Sequence, residues 1–241
     1  MKLLVNIKKL LVTFILLSNI ATPTIAKDSF VGVGDNTRVV FDLSEKRISI
    51  PVYNQTDSYY LFHAQIIDHE TGDYSRDFIT NPEVVQLSPN RSKYIELIRL
   101  SDFNGLETEK LFHLRGTFIP TASNESGKSG FGMDVGYEIE MKLFVRPKAL
   151  WVESDAIRTL LNKVKFKKSR DGLDVVNESP YYITFDKISI NDRLIKIPDD
   201  VRMIEPFGKK VLKVNEVAVK TITWTLINDG GFPTEPKITE M

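Results

Sequence analysis

Short runs in which apolar and polar residues alternate dominate the chain after its first 26 residues. In the first half these runs are residues 38–41, 47–52, 59–67, 93–100, 111–119 and 131–145. A period of two is typical of strands that bury one face, and the runs are rich in β-branched and aromatic residues. Asn, Asp, Gly and Ser residues separate them. About seven strands in about 120 residues predict an immunoglobulin-like β-sandwich.

A second series of short alternating runs follows Pro147. These runs are residues 164–166, 173–176, 181–190, 194–197, 210–214 and 221–227. They predict a second sandwich, so the expected fold class is all-β with two immunoglobulin-like domains, residues 27–147 and 148–241. Apolar residues in the stretch 155–164 have helical spacing, but the stretch is short, and we interpret it as a linker of uncertain structure.

The first 26 residues have the pattern of a secretory signal peptide. Lys8 and Lys9 precede a short apolar run at residues 10–17, and small residues end the segment at Ala26. A membrane anchor would need about 20 consecutive apolar residues, and polar residues interrupt this run. We therefore expect cleavage after Ala26 and export of the remaining chain.

The composition argues against several kinds of chemistry. The chain has 241 residues and no Cys, which excludes disulfides, thiol nucleophiles and thiolate metal sites. Lys+Arg and Asp+Glu are both 32, so no overall field favours nucleic acid. The spacing of His63, His69 and His113 forms no metal motif, and we interpret His113 as a packed or edge residue. Residues 127–129 resemble the end of a phosphate loop, but the flanking residues favour a hairpin loop. We expect no catalytic residues, metal or cofactor.

The longest alternating run contains residues 131–142. Every odd position is apolar, and every even position is Gly or charged. One interpretation places the apolar row in the core of its own sandwich. The other is an edge that a partner covers, because a long apolar edge is an aggregation liability. The pattern alone favours the core, whereas the length of the run and the Gly- and Ser-rich loop before it favour a partner.

Four segments of the chain carry a family resemblance. They are TRVVFD at 37–42, KLFVRP at 142–147, NESPYYI at 177–183 and INDGGFP at 227–233. In pattern and order they resemble the PapD-like periplasmic chaperones of the chaperone–usher pathway in Gram-negative bacteria. The resemblance implies two immunoglobulin-like domains set in an L and a non-enzymatic periplasmic protein. Such a chaperone binds one fimbrial or fibre subunit by adding its own donor strand to the subunit's sheet, and delivers the subunit to an outer-membrane usher.

The same resemblance implies roles for three groups of residues. Arg38 and Lys142 match the paired cations that anchor the C-terminal carboxylate of the subunit. The donor positions that fill the subunit groove match Phe131, Met133, Val135 and Tyr137. Glu109, Arg146 and Asp229 align with a charged trio that fixes the angle between the domains. Strict alternation places Lys142 on the face opposite to the donor row, so we expect a bulge or strong twist to re-aim it.

Two other interpretations remain open at this point. A secreted two-domain immunoglobulin-like adhesin or fibre subunit would carry an N-terminal donor extension and lack its final strand, whereas residues 27–35 are short and contain Gly. A periplasmic hydrolase on a β-sandwich would need catalytic motifs that the chain lacks. For the chaperone we expect a one-to-one complex with its subunit, no nucleic-acid partner and no membrane insertion. A free chaperone is expected to self-associate through the donor strand.

Overall fold

The computed structural model describes residues 30–121, 135–151, 156–214 and 218–241, without the side chains of residues 156–159. The expected signal peptide, the loop at 127–129 and the donor positions Phe131 and Met133 lie outside the described residues. Within the described part of the chain, no helix has the length and apolar character to cross a membrane.

Nine strands form two sheets in the first half of the chain. They are β1 (Val31–Val33), β2 (Arg38–Asp42), β3 (Arg47–Asn54), β4 (Tyr59–Asp68), β5 (Phe78–Asn81), β6 (Val84–Leu87), β7 (Arg91–Arg99), β8 (Lys110–Thr121) and β9 (Tyr137–Arg146). One sheet has the order β1-β3-β7-β5 and the other the order β2-β9-β8-β4-β6. β2 and β9 are parallel, and the other neighbours are antiparallel. The sequence did not predict the three-residue strand β1, nor β5 and β6, which have four residues each and are separated by a short turn containing Pro82.

The second half of the chain is again built mainly from strands. The elements are α1 (Ala156–Lys163), β10 (Val164–Ser169), β11 (Gly172–Asn177), β12 (Ile183–Ile190), β13 (Arg193–Leu194), α2 (Asp199–Arg202), β14 (Met203–Ile204), β15 (Lys209–Leu212), β16 (Thr221–Leu226) and β17 (Lys237–Glu240). The strand orders are β10-β11-β15 and β13-β12-β16-β17, with β14 paired to β12.

The linker interpretation of residues 155–164 was wrong, because Ala156–Lys163 is helical. Leu160 and Leu161 pack against the hydrophobic core of the second half of the chain. These tertiary contacts stabilise a helix that would be too short to form by itself in water.

Each half has its own hydrophobic core. In the first half, Phe62 and Phe118 from neighbouring strands lie with ring centroids 4.7 Å apart. In the second half, Trp224 lies 5.9 Å from Phe185 and is almost fully buried. The expected all-β, two-domain architecture is confirmed. The domain boundary at Pro147 stays a prediction.

Both domains contain the same buried asparagine arrangement. Asn54 donates through Nδ2 to the carbonyl oxygens of residues 58, 87 and 88, and its Oδ1 accepts from Thr56. Asn177 donates in the same way to the carbonyl oxygens of residues 181, 204 and 205, and its Oδ1 accepts from Ser179. Because an amide can satisfy several buried backbone groups at once, each asparagine fixes the end of a strand against its neighbours.

Candidate functional site: a cation pair beside an open strand edge

Arg38 and Lys142 lie side by side on the outer face of the sheet β2-β9-β8-β4-β6. Pairing of β2 with β9 makes the two residues Cα partners. Leu143 and Val145 point into the core, so alternation turns Lys142 and Phe144 outwards. The Arg38 guanidinium lies 5.4 Å from the centroid of the Phe144 ring, and Nη1 donates to the carbonyl oxygen of Ile227 at 3.4 Å. The structure therefore brings together the two residues that the resemblance assigned to a carboxylate anchor.

Both cations are partly desolvated. Burial lowers the pKa of Arg38, although Asp229 and Glu109 oppose that effect. Burial, and then the charges of Arg38 and Arg202, lower the pKa of Lys142. The Nε of Arg38 is buried without a hydrogen-bond acceptor, and Lys142 has no ion pair among the residues that the structure describes. Unpaired buried donors are costly, so this pair of residues is suited to receive an anion.

Arg146 is the centre of a charged network between the two domains. Its Nε donates to Glu109 Oε1 at 2.8 Å. Its Nη1 and Nη2 donate to Asp229 Oδ2 and Oδ1 at 2.7 and 2.9 Å. Arg146 belongs to β9, whereas Asp229 follows β16 of the second domain. The bidentate geometry is the arrangement in which Arg binds a carboxylate most strongly.

Burial governs the energetics of this network. The side chains of Arg146 and Glu109 are almost fully buried, whereas that of Asp229 is exposed. Glu109 Oε2 also accepts from the backbone N–H of Tyr182 in the second domain at 2.8 Å. Burial raises the pKa of the Glu109 carboxyl, while Arg146 and the Tyr182 N–H oppose this. Burial alone would lower the pKa of Arg146, but the bonds to Asp229 and the charges of both acids raise it overall. Arg146 is therefore charged whenever the protein is folded.

The apolar row of β9 changes from exposed to buried along the strand. Val135 and Tyr137 are 53% and 48% exposed, whereas Met141 and Leu143 are 5% and 0% exposed. The two interpretations of the run therefore apply to different parts of it. Met141 and Leu143 belong to the core, whereas Val135 and Tyr137 present apolar side chains at the surface.

The expected bulge is absent from the described part of this strand, and the alternative of a strong twist stays a prediction. The pairing of β9 with β8 runs without a register shift from Tyr137 to Val145. Lys142 therefore lies on the face opposite to Tyr137, as strict alternation requires. The cation pair and the apolar row occupy opposite faces of one strand.

One edge of β9 is open beside the cation pair. Along its β8 side, β9 is paired from Tyr137 onwards, but β2 covers the other side only from Lys142 to Arg146. Among the described residues, residues 137–141 therefore have no strand on that side. The open edge ends at Lys142, where β2 begins with Arg38.

Next to Lys142 lies a cluster of two histidine rings and one carboxylate, which the sequence analysis did not predict. His69 Nδ1 lies 3.0 Å from His113 Nε2, and His113 Nδ1 lies 3.1 Å from Glu140 Oε1. The two histidines are 44 positions apart, and nothing in their spacing indicates contact. In the part of the chain that the structure covers, no group of three or more His, Cys, Asp or Glu side chains could hold a metal ion.

Family models cover most of the chain. Residues 33–151 match the model described as the N-terminal domain of PapD, a pili and flagellar-assembly chaperone. Residues 159–237 match the model of the C-terminal domain of the pili assembly chaperone PapD.

Individual proteins agree with the family match. The chain is 25% identical over 207 residues to the probable fimbrial chaperone LpfB of Escherichia coli O157:H7, covering 85% of this chain and 86% of that protein. It is 26% identical over 208 residues to the chaperone protein FimC of Escherichia coli O6:H1, covering 84% and 81%. Its fold is similar to that of the SafB chaperone, solved with the SafA pilin of Salmonella enterica. The TM-score is 0.74 at 18% identity, with 90% and 98% of the two chains covered.

The chain belongs to the PapD family of pili assembly chaperones. It is a chaperone of the chaperone–usher pathway, with the two immunoglobulin-like domains expected from its sequence. The resemblance stated from the sequence is thereby confirmed, and the adhesin alternative is not favoured.

Proposed function

We propose that this protein is exported to the periplasm after cleavage at Ala26 and binds one fimbrial or fibre subunit in a one-to-one complex. It then delivers that subunit to an outer-membrane usher. The solved complex of the similar SafB chaperone with a pilin supports a subunit as the partner. The proposed domains are residues 27–147 and 148–241.

The open edge of β9 is the observation that carries this proposal. An incoming strand can form main-chain hydrogen bonds with residues 137–141 until it meets the start of β2. At that point its terminus lies beside Arg38 and Lys142. A C-terminal carboxylate would receive charge-assisted hydrogen bonds there, and the strand that carries it would run parallel to β9.

The exposed row would select the subunit. Val135 and Tyr137, with Phe131 and Met133 preceding them in the sequence, supply apolar side chains for the groove of an incomplete subunit sandwich. The charged trio Glu109, Arg146 and Asp229 would hold the second domain at a fixed angle to the anchor. In the free chaperone the same open edge and exposed row favour self-association.

Replacing Arg38 or Lys142 by Ala is expected to abolish capture while leaving the fold intact. Losing a charged hydrogen-bonding partner costs about 1.5–3 kcal/mol of binding, whereas substitutions of partly exposed residues usually change stability by less than about 0.5 kcal/mol. The measurement is one-to-one co-purification with a co-expressed subunit, together with the thermal midpoint of each purified variant. Lys93→Ala, an exposed lysine on β7 of the other sheet, is the matched control. Wild-type recovery of the subunit by both Arg38→Ala and Lys142→Ala would contradict the anchor.

A further inference from the structure

The side chains of Glu140, His113 and His69 form a row of hydrogen-bonded groups. The donor and acceptor properties of each group fix where the hydrogens lie. Glu140 also accepts from Arg115 Nη2 at 3.1 Å, so it is an ionised carboxylate and can only accept. His113 Nδ1 must therefore carry a hydrogen. The 3.0 Å contact between His113 Nε2 and His69 Nδ1 then holds one further hydrogen. The histidine pair can take up one extra proton with this contact intact, but a second one would set two N–H groups against each other.

This row of hydrogen-bonded groups lies directly beside the cation pair. His113 and Lys142 are Cα partners in the pairing of β8 with β9, and both point to the outer face. Cross-strand partners of this kind have Cβ atoms about 4.5–5.5 Å apart. A proton on the histidine pair therefore places a positive charge next to the proposed position of the subunit carboxylate.

Charged groups surround the pair on every element packed against it. The groups that face His113 are Glu140 and Lys142 from β9, Arg115 from β8, and His69. Around the turn of His69, the ionisable groups are the ion pair of Asp68 with Lys110, the neighbouring Glu70, and Tyr182 of the second domain, whose ring centroid lies 6.5 Å away. Glu140 favours a proton on His113, whereas Lys142 and Arg115 oppose it.

We propose that the His69–His113 pair is a proton-dependent third cation of the anchor, so that binding of a subunit carboxylate at Arg38 and Lys142 is coupled to uptake of a proton by His113. This inference rests on the proposed function. In the free protein the anchor contributes only positive charges near His113, which oppose its protonation, and a bound carboxylate would add a negative charge that favours it. By linkage, if the carboxylate favours the proton, the proton strengthens binding of the carboxylate by the same factor.

The electrostatics of the free protein agree with this coupling. Burial lowers the pKa of His113 below its ordinary value, so the residue is neutral at neutral pH before a ligand arrives. At a separation of about 7 Å and a dielectric constant of about 40–80, one added charge strengthens binding of an anion roughly threefold to sevenfold. Affinity is therefore expected to rise as the pH falls through the range in which His113 gains its proton.

The test uses the exported chain and a synthetic peptide of alternating Val and Thr residues with a free C-terminal carboxylate. Calorimetry measures Kd and proton uptake at about pH 7.5 and about pH 5.5, in two buffers of different ionisation enthalpy. We expect tighter binding at the lower pH, with a gain that approaches roughly threefold to sevenfold only where His113 is fully protonated, and with uptake of a fraction of a proton. The same peptide with a C-terminal amide should show neither effect, because it lacks the charge.

Variants separate the inference from the proposed function. His113→Gln should remove both the pH dependence and the proton uptake. His63→Gln is the matched control, because His63 also contacts a carboxylate, Glu83 at 3.0 Å, but lies on β4 away from Lys142. If Lys142→Ala does not weaken binding at the higher pH, the proposed anchor and this inference both fail. If Lys142→Ala weakens binding but wild type takes up no proton, or His113→Gln keeps the pH profile, only the inference is overturned.

Discussion

Replacing Arg146 by Ala is expected to lower the stability of the first domain by about 3–5 kcal/mol, the usual cost of removing one partner of a buried ion pair. Glu109 would remain as a carboxylate with almost no exposed side-chain surface, and the Tyr182 N–H would be its only donor among the residues that the structure describes. Asp229 would lose both of its hydrogen bonds across the domain boundary. Scanning calorimetry should show a midpoint lowered by more than about 10 °C for that domain. Small-angle scattering should show a larger radius of gyration, because the domains are no longer held together by this contact.

Two further variants isolate the cause. Arg47→Ala removes an arginine whose ion pair with Glu96 is 3.6 Å long and largely exposed, so it should change stability by less than about 1 kcal/mol. Adding Glu109→Gln to Arg146→Ala should restore part of the lost stability, since a neutral amide costs less to bury than an unpaired carboxylate. If Arg146→Ala matched Arg47→Ala in midpoint and left the scattering profile unchanged, the network would not hold the domains together.

Asp placed at two positions of the same apolar row is expected to give opposite results. Met141→Asp buries an unpaired carboxylate in the first core, at a cost of several kcal/mol against a domain stability of about 5–15 kcal/mol, and should unfold the domain. Val135→Asp changes a side chain that is 53% exposed, so stability should change by less than about 0.5 kcal/mol. Val135→Asp should nevertheless lose the subunit, because a charge cannot enter an apolar groove.

The comparison requires the thermal midpoint of both variants and their recovery of a co-expressed subunit. Val135→Thr is the matched control for the exposed position, because it keeps the β-branched shape without a charge. Self-association of wild type should weaken in Val135→Asp but persist in Val135→Thr. A collapsed midpoint for Val135→Asp would assign that part of the row to the core, and retained subunit binding would contradict its donor role.

Residues close in sequence carried much of what could be predicted. Period-two alternation in β3, β4 and β8 reports which side chains face a core, so it identified the all-β class. The short strands β1, β5, β6, β14 and β17 were missed because runs of so few residues show too little of a period. The helix Ala156–Lys163 was left as a linker because its stability depends on packing against the second core.

Residues of the candidate site could be predicted where a family motif contains them. KLFVRP and TRVVFD indicated Lys142, Arg146 and Arg38, and the residues of the charged trio were named without knowledge of their distances. His69 and His113 lie in none of these motifs. His113 and Lys142 are 29 positions apart in the sequence and become neighbours only through the register of β8 with β9.

The sequence by itself determined the family and the two β-sandwich domains. It also indicated which charged residues form the anchor and the trio. These features are encoded locally, in side-chain periodicity and in short motifs. The tertiary structure decided that the long apolar row is exposed at Val135 and Tyr137 and buried at Met141. It also decided that β9 pairs with β8 without a bulge from Tyr137 to Val145, and that no other described strand covers the opposite edge of residues 137–141. Those properties depend on which strand pairs with which and where each pairing ends. Such long-range contacts arise only when distant segments pack together, so no local pattern records them.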